Sequence, residues 1–241
     1  MLVNIDIRSL EIVCAAYLSQ DPVLMDELAS GKDLHEDNRV TFGLPSRLIA
    51  KVLGFRILYG GTEHSFCRDP DFTSVSSSKE YWKKAIDAYY SKYKGIKAWH
   101  VKLVQEATVH GKVVSPTGRT FKYEPKTTAF GTDWPITTIK NYIVQGFGAD
   151  LVMIARISLF NRLKASGFKS KLVATVHDSI VIDCPDEEWV QVAALALKCV
   201  QDVPSNFERL FRKPFNLALN AEVLYGNNLG DMKEWKPTKS E

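Results

Sequence analysis

The run KLVATVHDSIVIDCP, residues 171–185, constrains the fold more than any other stretch. Two period-2 strands flank the pair His177-Asp178, and such a two-residue break is the signature of a tight antiparallel hairpin. A hairpin is marginal on its own, so the chain must supply further strands or helices to cover it. VNID near the start and FNLALNAEVLYG near the end read as short strands. Between them lie a helix in SLEIVCAAYLSQ, ended or interrupted by Asp21-Pro22, and a second short one in VLMDELAS, followed by GKDLHEDNRVTFG. RDPDFTSVSSS reads as a loop, and Ser77 with Glu80 has capping-box spacing before a helix running to about Tyr93. Gly95 separates that helix from IKAWHVKLVQEATVHG, and VVSPTGRTFKYEP reads as a hairpin turning at Gly118. IKNYIVQGFGADLVMIARISLFNRLKASG is a long helix ending at Gly167, and EEWVQVAALALKCVQDV an amphipathic one. Helices inserted between a few strands predict an α+β fold with a modest antiparallel sheet.

Bulk properties narrow the class without choosing a function. A chain of 241 residues, 45% hydrophobic and 24% charged, can bury a sizeable core. Its net charge of +3 permits a polyanionic partner without demanding one. Cys14, Cys67, Cys184 and Cys199 form no CxxC pair, so neither a zinc site nor a disulfide framework is indicated. Charges come too early for a signal peptide and no apolar run approaches membrane-spanning length, which predicts a cytoplasmic protein with no membrane partner.

RLIAKVLGFRILYGG carries the first chemical signal. Arg47, Lys51, Phe55 and Tyr59 recur every four residues before a glycine pair. On a helix they form a slowly slanting stripe roughly 18 Å long. Two cations one turn apart suit an extended polyphosphate, and the two rings beyond offer flat surfaces to a base and sugar. Leu48, Ile49, Val52, Leu53 and Ile57 occupy most of the opposite arc and would anchor the helix, whereas Arg56 falls inside that arc and must snorkel or find a carboxylate. Taken alone, the same spacing describes an ordinary amphipathic helix.

Two aspartates give the second signal. Asp178 sits at the hairpin reversal, and Asp6 ends the first strand where it meets a helix bearing Glu11. Each alone is equally a turn or capping residue. With the cationic stripe they fit in-line phosphoryl transfer, in which two Mg²⁺ ions stabilise attacking and leaving oxygens. Mg²⁺ is commonly held by one or two carboxylates plus substrate phosphates and water.

These motifs resemble the family A DNA polymerases, the bacterial DNA polymerase I type found also in many phages. DIRSLEIVCAAYLSQDP is similar to the family's first polymerase motif, R-x3-K-x3-F-x3-Y-G to its second, and VHDSIV to its third. KYKGIKAW, His110–Arg119 and NYIVQGFGADLV add to the match, which runs from Asp6 nearly to Trp235. The resemblance implies a palm at 1–20 and 137–241, with mainly helical fingers at 21–136. It implies metal binding by Asp6, Asp178 and the carbonyl of Ile7. Arg47 and Lys51 would hold the triphosphate, helped by His35. Phe55 and Tyr59 would line the pocket for the incoming nucleotide, and Glu11 would occupy the space of a ribose 2′-OH. Asn141, Gln145 and Arg119 would contact primer-template DNA, with His177 near the primer terminus. Minor-groove acceptors are nearly alike for every base pair, so such contacts sense pairing geometry without reading sequence.

Departures accompany the match. The third-motif Glu is Ser179, the first-motif Gln is Ser9, and Thr137 stands where the family often has Arg, with Lys140 nearby. The lysines from Lys79 to Lys102, interleaved with Tyr and Trp, could follow a template strand but read better as a solvated face. The resemblance begins at the first-motif strand, so a thumb, earlier palm strands and an exonuclease are expected to lie outside this stretch. The expectation is one half of a split polymerase, completed by a second polypeptide, with an exposed sheet edge and apolar face where strands are missing; truncation of a longer chain is the duller alternative. A phage-encoded chain would act in the host cytoplasm. The rival expectation is a catalytically idle remnant that binds DNA or docks onto another polymerase.

Overall fold

A computed structural model describes residues 1–129 and 131–237. In chain order its elements are β1 (Leu2–Ile7), α1 (Leu10–Ser19), α2 (Pro22–Ser30), α3 (Leu34–Thr41), α4 (Arg47–Leu58), α5 (Glu63–Phe66) and α6 (Pro70–Thr73). There follow α7 (Lys79–Lys92), α8 (Lys94–His110), β2 (Lys112–Val114), β3 (Thr120–Lys122), β4 (Lys126–Thr128), β5 (Gly131–Asp133) and α9 (Ile136–Ala165). The last are β6 (Lys171–Val176), β7 (Ser179–Asp183), α10 (Trp189–Gln201), α11 (Val203–Phe211), β8 (Ala221–Gly226) and β9 (Lys233–Trp235). The fold is α+β. The chain divides into two compact units, Met1–Val13 with Gly146–Glu241, and Cys14–Gln145.

The first unit is built on the sheet β6-β7-β1-β8-β9, in which β1 pairs antiparallel with both β7 and β8. Period-2 alternation sends Val3, Ile5 and Ile7 into the core, where each is at most 1% exposed. Helix α10 covers β1 and β8, burying Val192, Ala193, Ala196, Cys199 and Val200. Trp189 stacks on Tyr225 with ring centroids 4.3 Å apart. At the other side β6 is an edge strand. Val173 and Val176 stay exposed, and with Ile157 and Phe160 of α9 they leave apolar surface uncovered. A groove of about 550 Å³ runs there, lined by Arg156, Ile157, Phe160, Leu172, Val173 and Thr175.

The second unit is helical, with small ribbons β2-β3 and β4-β5. Its aromatic core joins Phe66, Phe72 and Trp82 at centroid distances of 4.8 to 5.6 Å. All three are at most 1% exposed, and burial of each such ring contributes roughly 1.5–3 kcal/mol. Asp21, 1% exposed, caps two helices with one carboxylate. Its Oδ1 accepts from the backbone N–H groups of Val23 and Leu24, and its Oδ2 from those of Gly95 and Ile96. A Cβ on Gly95 would lie 2.7 Å from the Asp21 backbone, so only glycine permits this approach. Lys92 bridges Glu27 and Asp37, and the Tyr93 hydroxyl donates to Glu27 at 2.7 Å, which ties α2, α3 and α7 together.

Several sequence expectations need correction. The N-cap of α7 is Ser78, whose Oγ accepts from the Tyr81 N–H, and not Ser77. RDPDFTSVSSS contains the short helix α6, capped by Asp69. Leu48 does not anchor α4: it is 66% exposed, and Ala50, Leu53, Ile57 and Leu58 are the buried residues. The strand in FNLALNAEVLYG is confined to Ala221–Gly226. Helix α9 is long and apolar enough to cross a membrane by length and composition, against the expectation of no such run, and half of its most apolar window is buried in the protein.

Candidate active site

Asp6 and Asp178 are brought together by strand pairing. The backbone of Ile7 donates to the Asp178 carbonyl at 3.1 Å, and Asp6 stands opposite Ser179 in register. The Asp6 carboxyl is held above its ordinary pKa, first by burial and then by the charges of Asp178 and Glu222. Glu222 faces Asp6 across the β1-β8 pair, and Arg8 reaches Glu222 at 3.4 Å and Glu234 at 3.5 Å. Three carboxylates therefore share a small region in which one guanidinium offsets part of the repulsion.

Backbone strain brackets the two aspartates. Among the described residues only Ser9, Gln20, His177 and Arg212 are non-glycines at positive φ. Ser9 (φ 54°) turns the chain from β1 into α1, and its carbonyl accepts from the Val13 N–H. His177 (φ 53°) opens the hairpin turn and is exposed. Strained, non-glycine residues of this kind concentrate at functional sites. Glu11 lies in the first turn of α1 and is half-buried.

In the second unit α4 presents the cationic and aromatic stripe. Ser46 caps it, accepting from the Ile49 N–H at 3.2 Å. Arg47 and Lys51 are exposed, while Phe55 and Tyr59 are half-buried with stacked rings 6.4 Å apart. A Cβ on Gly61 would lie 2.8 Å from the Arg56 carbonyl oxygen, so this close turn after Tyr59 demands glycine. His35, on α3, lies 6.1 Å from the Phe55 ring. Its imidazole is pushed below its ordinary pKa by burial and by the charges of Arg47 and Lys51. Gln145 donates to the Tyr59 hydroxyl at 2.7 Å, and Asn141 stands one turn earlier on α9. His35, Arg47, Lys51, Phe55, Tyr59 and Gln145 thus form one cluster. Arg119 lies on the β2-β3 hairpin, where the Ser115 N–H donates to its carbonyl at 2.8 Å.

DNA polymerase family A matches residues 1–231. The chain belongs to that family.

As a family A chain it is 30% identical to DNA polymerase I of Lactococcus lactis over 214 residues, covering 84% of this chain and 24% of that protein. It is 27% identical to the thermostable DNA polymerase I of Thermus aquaticus over 250 residues, covering 97% of the chain and 27% of the relative. The chain therefore spans about a quarter of the length of these relatives. Its fold matches the POL domain of Pol1 from M. smegmatis, solved with DNA primer-template and dNTP. The TM-score is 0.80 and the identity 20%, over 93% of this chain and 39% of that one.

The Ser that replaces the family's third-motif Glu has a local task. Ser179 is buried, and its hydroxyl donates to the Val176 carbonyl at 3.0 Å, closing the turn that presents Asp178. Among the described residues no group of three or more His, Cys, Asp or Glu side chains has metal-holding geometry. The donor set that fits Mg²⁺ is the aspartate pair: hard oxygens, partly exposed, with a local excess of negative charge that a cation would relieve. Sequence reading missed Glu222, Arg8 and Asp33; Arg8 lies within the first motif but was given no role, and Glu222 lies in none. Register alone brings Glu222 to Asp6, and nothing local in the sequence announces it.

Proposed function

We propose that this chain carries the catalytic centre of a template-directed DNA polymerase, adding deoxynucleotides to a primer 3′-OH. The observation that carries the reading is the pair Asp6 and Asp178, set at the end of β1 and in the adjoining β6-β7 turn, with the Asp6 carboxyl held in its neutral form to higher pH by burial and by its acidic neighbours. The family membership and the fold shared with a polymerase domain solved with primer-template and dNTP support it. Residues 1–20 and 137–241 are then palm, and residues 21–136 fingers.

Asp6, Asp178 and the Ile7 carbonyl would hold two Mg²⁺ ions. When bound, Mg²⁺ supplies Lewis-acid stabilisation of the oxygens between which the phosphoryl group passes. The chain's own residues do the rest. Arg47 and Lys51 neutralise the triphosphate, a fork and a point charge one turn apart, with His35 beside them. Phe55 and Tyr59 present flat faces to the incoming base and sugar. Glu11 fills the space a ribose 2′-OH would need. Asn141, Gln145 and Arg119 hold the primer-template and His177 meets the primer terminus.

A second polypeptide bearing a thumb and further palm strands completes the enzyme in this reading. The open edge of β6 and the exposed Val173, Val176, Ile157 and Phe160 support it, because such an edge and such apolar surface are ordinarily covered. Primer extension with the purified chain and magnesium tests both parts. Weak synthesis that a partner fraction restores supports the reading. Robust processive synthesis by the chain alone removes the partner, and no incorporation under any complementation removes the polymerase.

That last outcome would favour an idle, DNA-binding remnant. The use of Ser179 to close its own turn is the observation on that side.

A further inference from the structure

We propose that Asp33 is a positioning residue of the nucleotide site, bracing Arg47 for the triphosphate. The inference rests on reading α4 as the triphosphate-binding helix. One carboxylate serves two elements. Oδ1 of Asp33 caps α3, accepting from the backbone N–H groups of His35 at 3.1 Å and Glu36 at 3.2 Å. Oδ2 accepts from Nε of Arg47 at 2.7 Å. The same side chain thus fixes where His35 begins its helix and where the guanidinium of Arg47 lies.

The choice of nitrogen matters. A guanidinium carries five N–H donors, and a bond through Nε leaves both Nη groups for a phosphate. Asp33 and a triphosphate therefore do not compete for the same hydrogens. Both partners are about half exposed, at 53% and 47%, so the pair adds little to folding stability. Its effect lies in holding a long side chain that the ligand would otherwise have to order. The other two carboxylates of α3 are engaged elsewhere: Glu36 pairs with Arg39 at 2.7 Å, and Asp37 with Lys92 at 2.6 Å.

The test separates the brace from the cap. Asp33→Ser retains a capping oxygen but is too short to reach Arg47, and Asp33→Asn retains the capping oxygen but turns an NH2 donor, which cannot accept, toward Nε. Binding of dATP with magnesium to the full chain is measured by calorimetry for the wild type, D33S, D33N, R47A and D33S/R47A. D33S weakens dATP about threefold to tenfold, the cost of one unordered arginine. D33N, which keeps the cap but loses the acceptor for Nε, weakens dATP as D33S does, and D33S adds nothing once Arg47 is gone. Wild-type affinity in D33S, equal losses with and without Arg47, or tighter binding in D33S would each overturn the brace while R47A remains weak. If R47A itself binds as wild type, or the wild type binds no dATP, the nucleotide reading of α4 fails and takes the brace with it.

Discussion

The guanidinium of Arg56 lies 2.6 Å from the carboxylate of Asp69. The pairing explains how a cation sits in the apolar arc of α4: it turns outward across the Phe72 ring, 5.9 Å from the centroid, and ends on a carboxylate. Asp69 also caps α6, accepting from the Asp71 N–H at 3.0 Å. Asp69→Ala removes both links and is expected to cost about 1–2 kcal/mol, most of it from the cap because the arginine is half exposed. Asp69→Asn retains the cap and costs less than about 1 kcal/mol. Urea denaturation of the three proteins measures the difference.

Asp178→Ala should abolish nucleotide incorporation while sparing DNA binding. Loss of several kcal/mol of charge stabilisation corresponds to a fall of roughly a hundredfold or more. Single-turnover incorporation and a DNA-binding titration, run on the same preparation, separate the two effects. Persisting incorporation would dismiss the metal assignment.

Asp6 carries a pH signature. Its folded pKa exceeds the ordinary 3.8, so the native state binds the extra proton and stability is lost as pH rises from 3.8 through the folded value. Asp6→Asn should therefore melt higher than wild type at pH 7, with the gain gone by about pH 3. Magnesium should raise the melting temperature of the wild type and raise that of Asp6→Asn less. Equal magnesium responses would place the ion elsewhere.

His35 has the opposite sign. Burial, Arg47 and Lys51 hold its pKa below 6.5, so its contribution to stability is present above 6.5 and is lost as pH falls towards the folded value. A triphosphate beside it would offset those cations and raise the pKa again. Binding of dATP near pH 6 should then take up protons, seen as a binding enthalpy that depends on the ionisation heat of the buffer. His35→Gln should remove that dependence.

In the proposed nucleotide pocket Phe55 would bear on sugar selection. A phenyl ring has no hydroxyl to stand in for a missing 3′-OH, so dideoxynucleotides should incorporate poorly. Competition between deoxy and dideoxy substrates at one template position measures the preference, and parity would exclude this role for the ring.

The hairpin around His177 and Asp178 was legible because period 2 and a two-residue break are local signals. The stripe from Arg47 to Tyr59 was legible because a spacing of four is one helix turn. What escaped depends on partners distant in the chain. Leu48 shares the apolar arc of α4, but burial reaches only the part of that arc holding Leu53 and Ile57, which leaves Leu48 in water. Ser78 displaced Ser77 as the cap because one residue of register decides which hydroxyl meets the Tyr81 N–H. Strands β4, β5 and β9 span three residues each, too few to show a period. Glu222 and Asp33 gained their neighbours from strand register and helix placement, neither of which the local sequence carries.

The double cap at Asp21 gives the helical unit an unusual dependence. Two helices whose first residues are separated by more than seventy positions in sequence terminate on a single carboxylate. Insertions or deletions anywhere between them are tolerable only if the loop still returns Gly95 to within van der Waals range of that aspartate. Length variation in such a unit is thus confined to excursions that close on themselves, and a graft that moves one helix start necessarily carries the other with it.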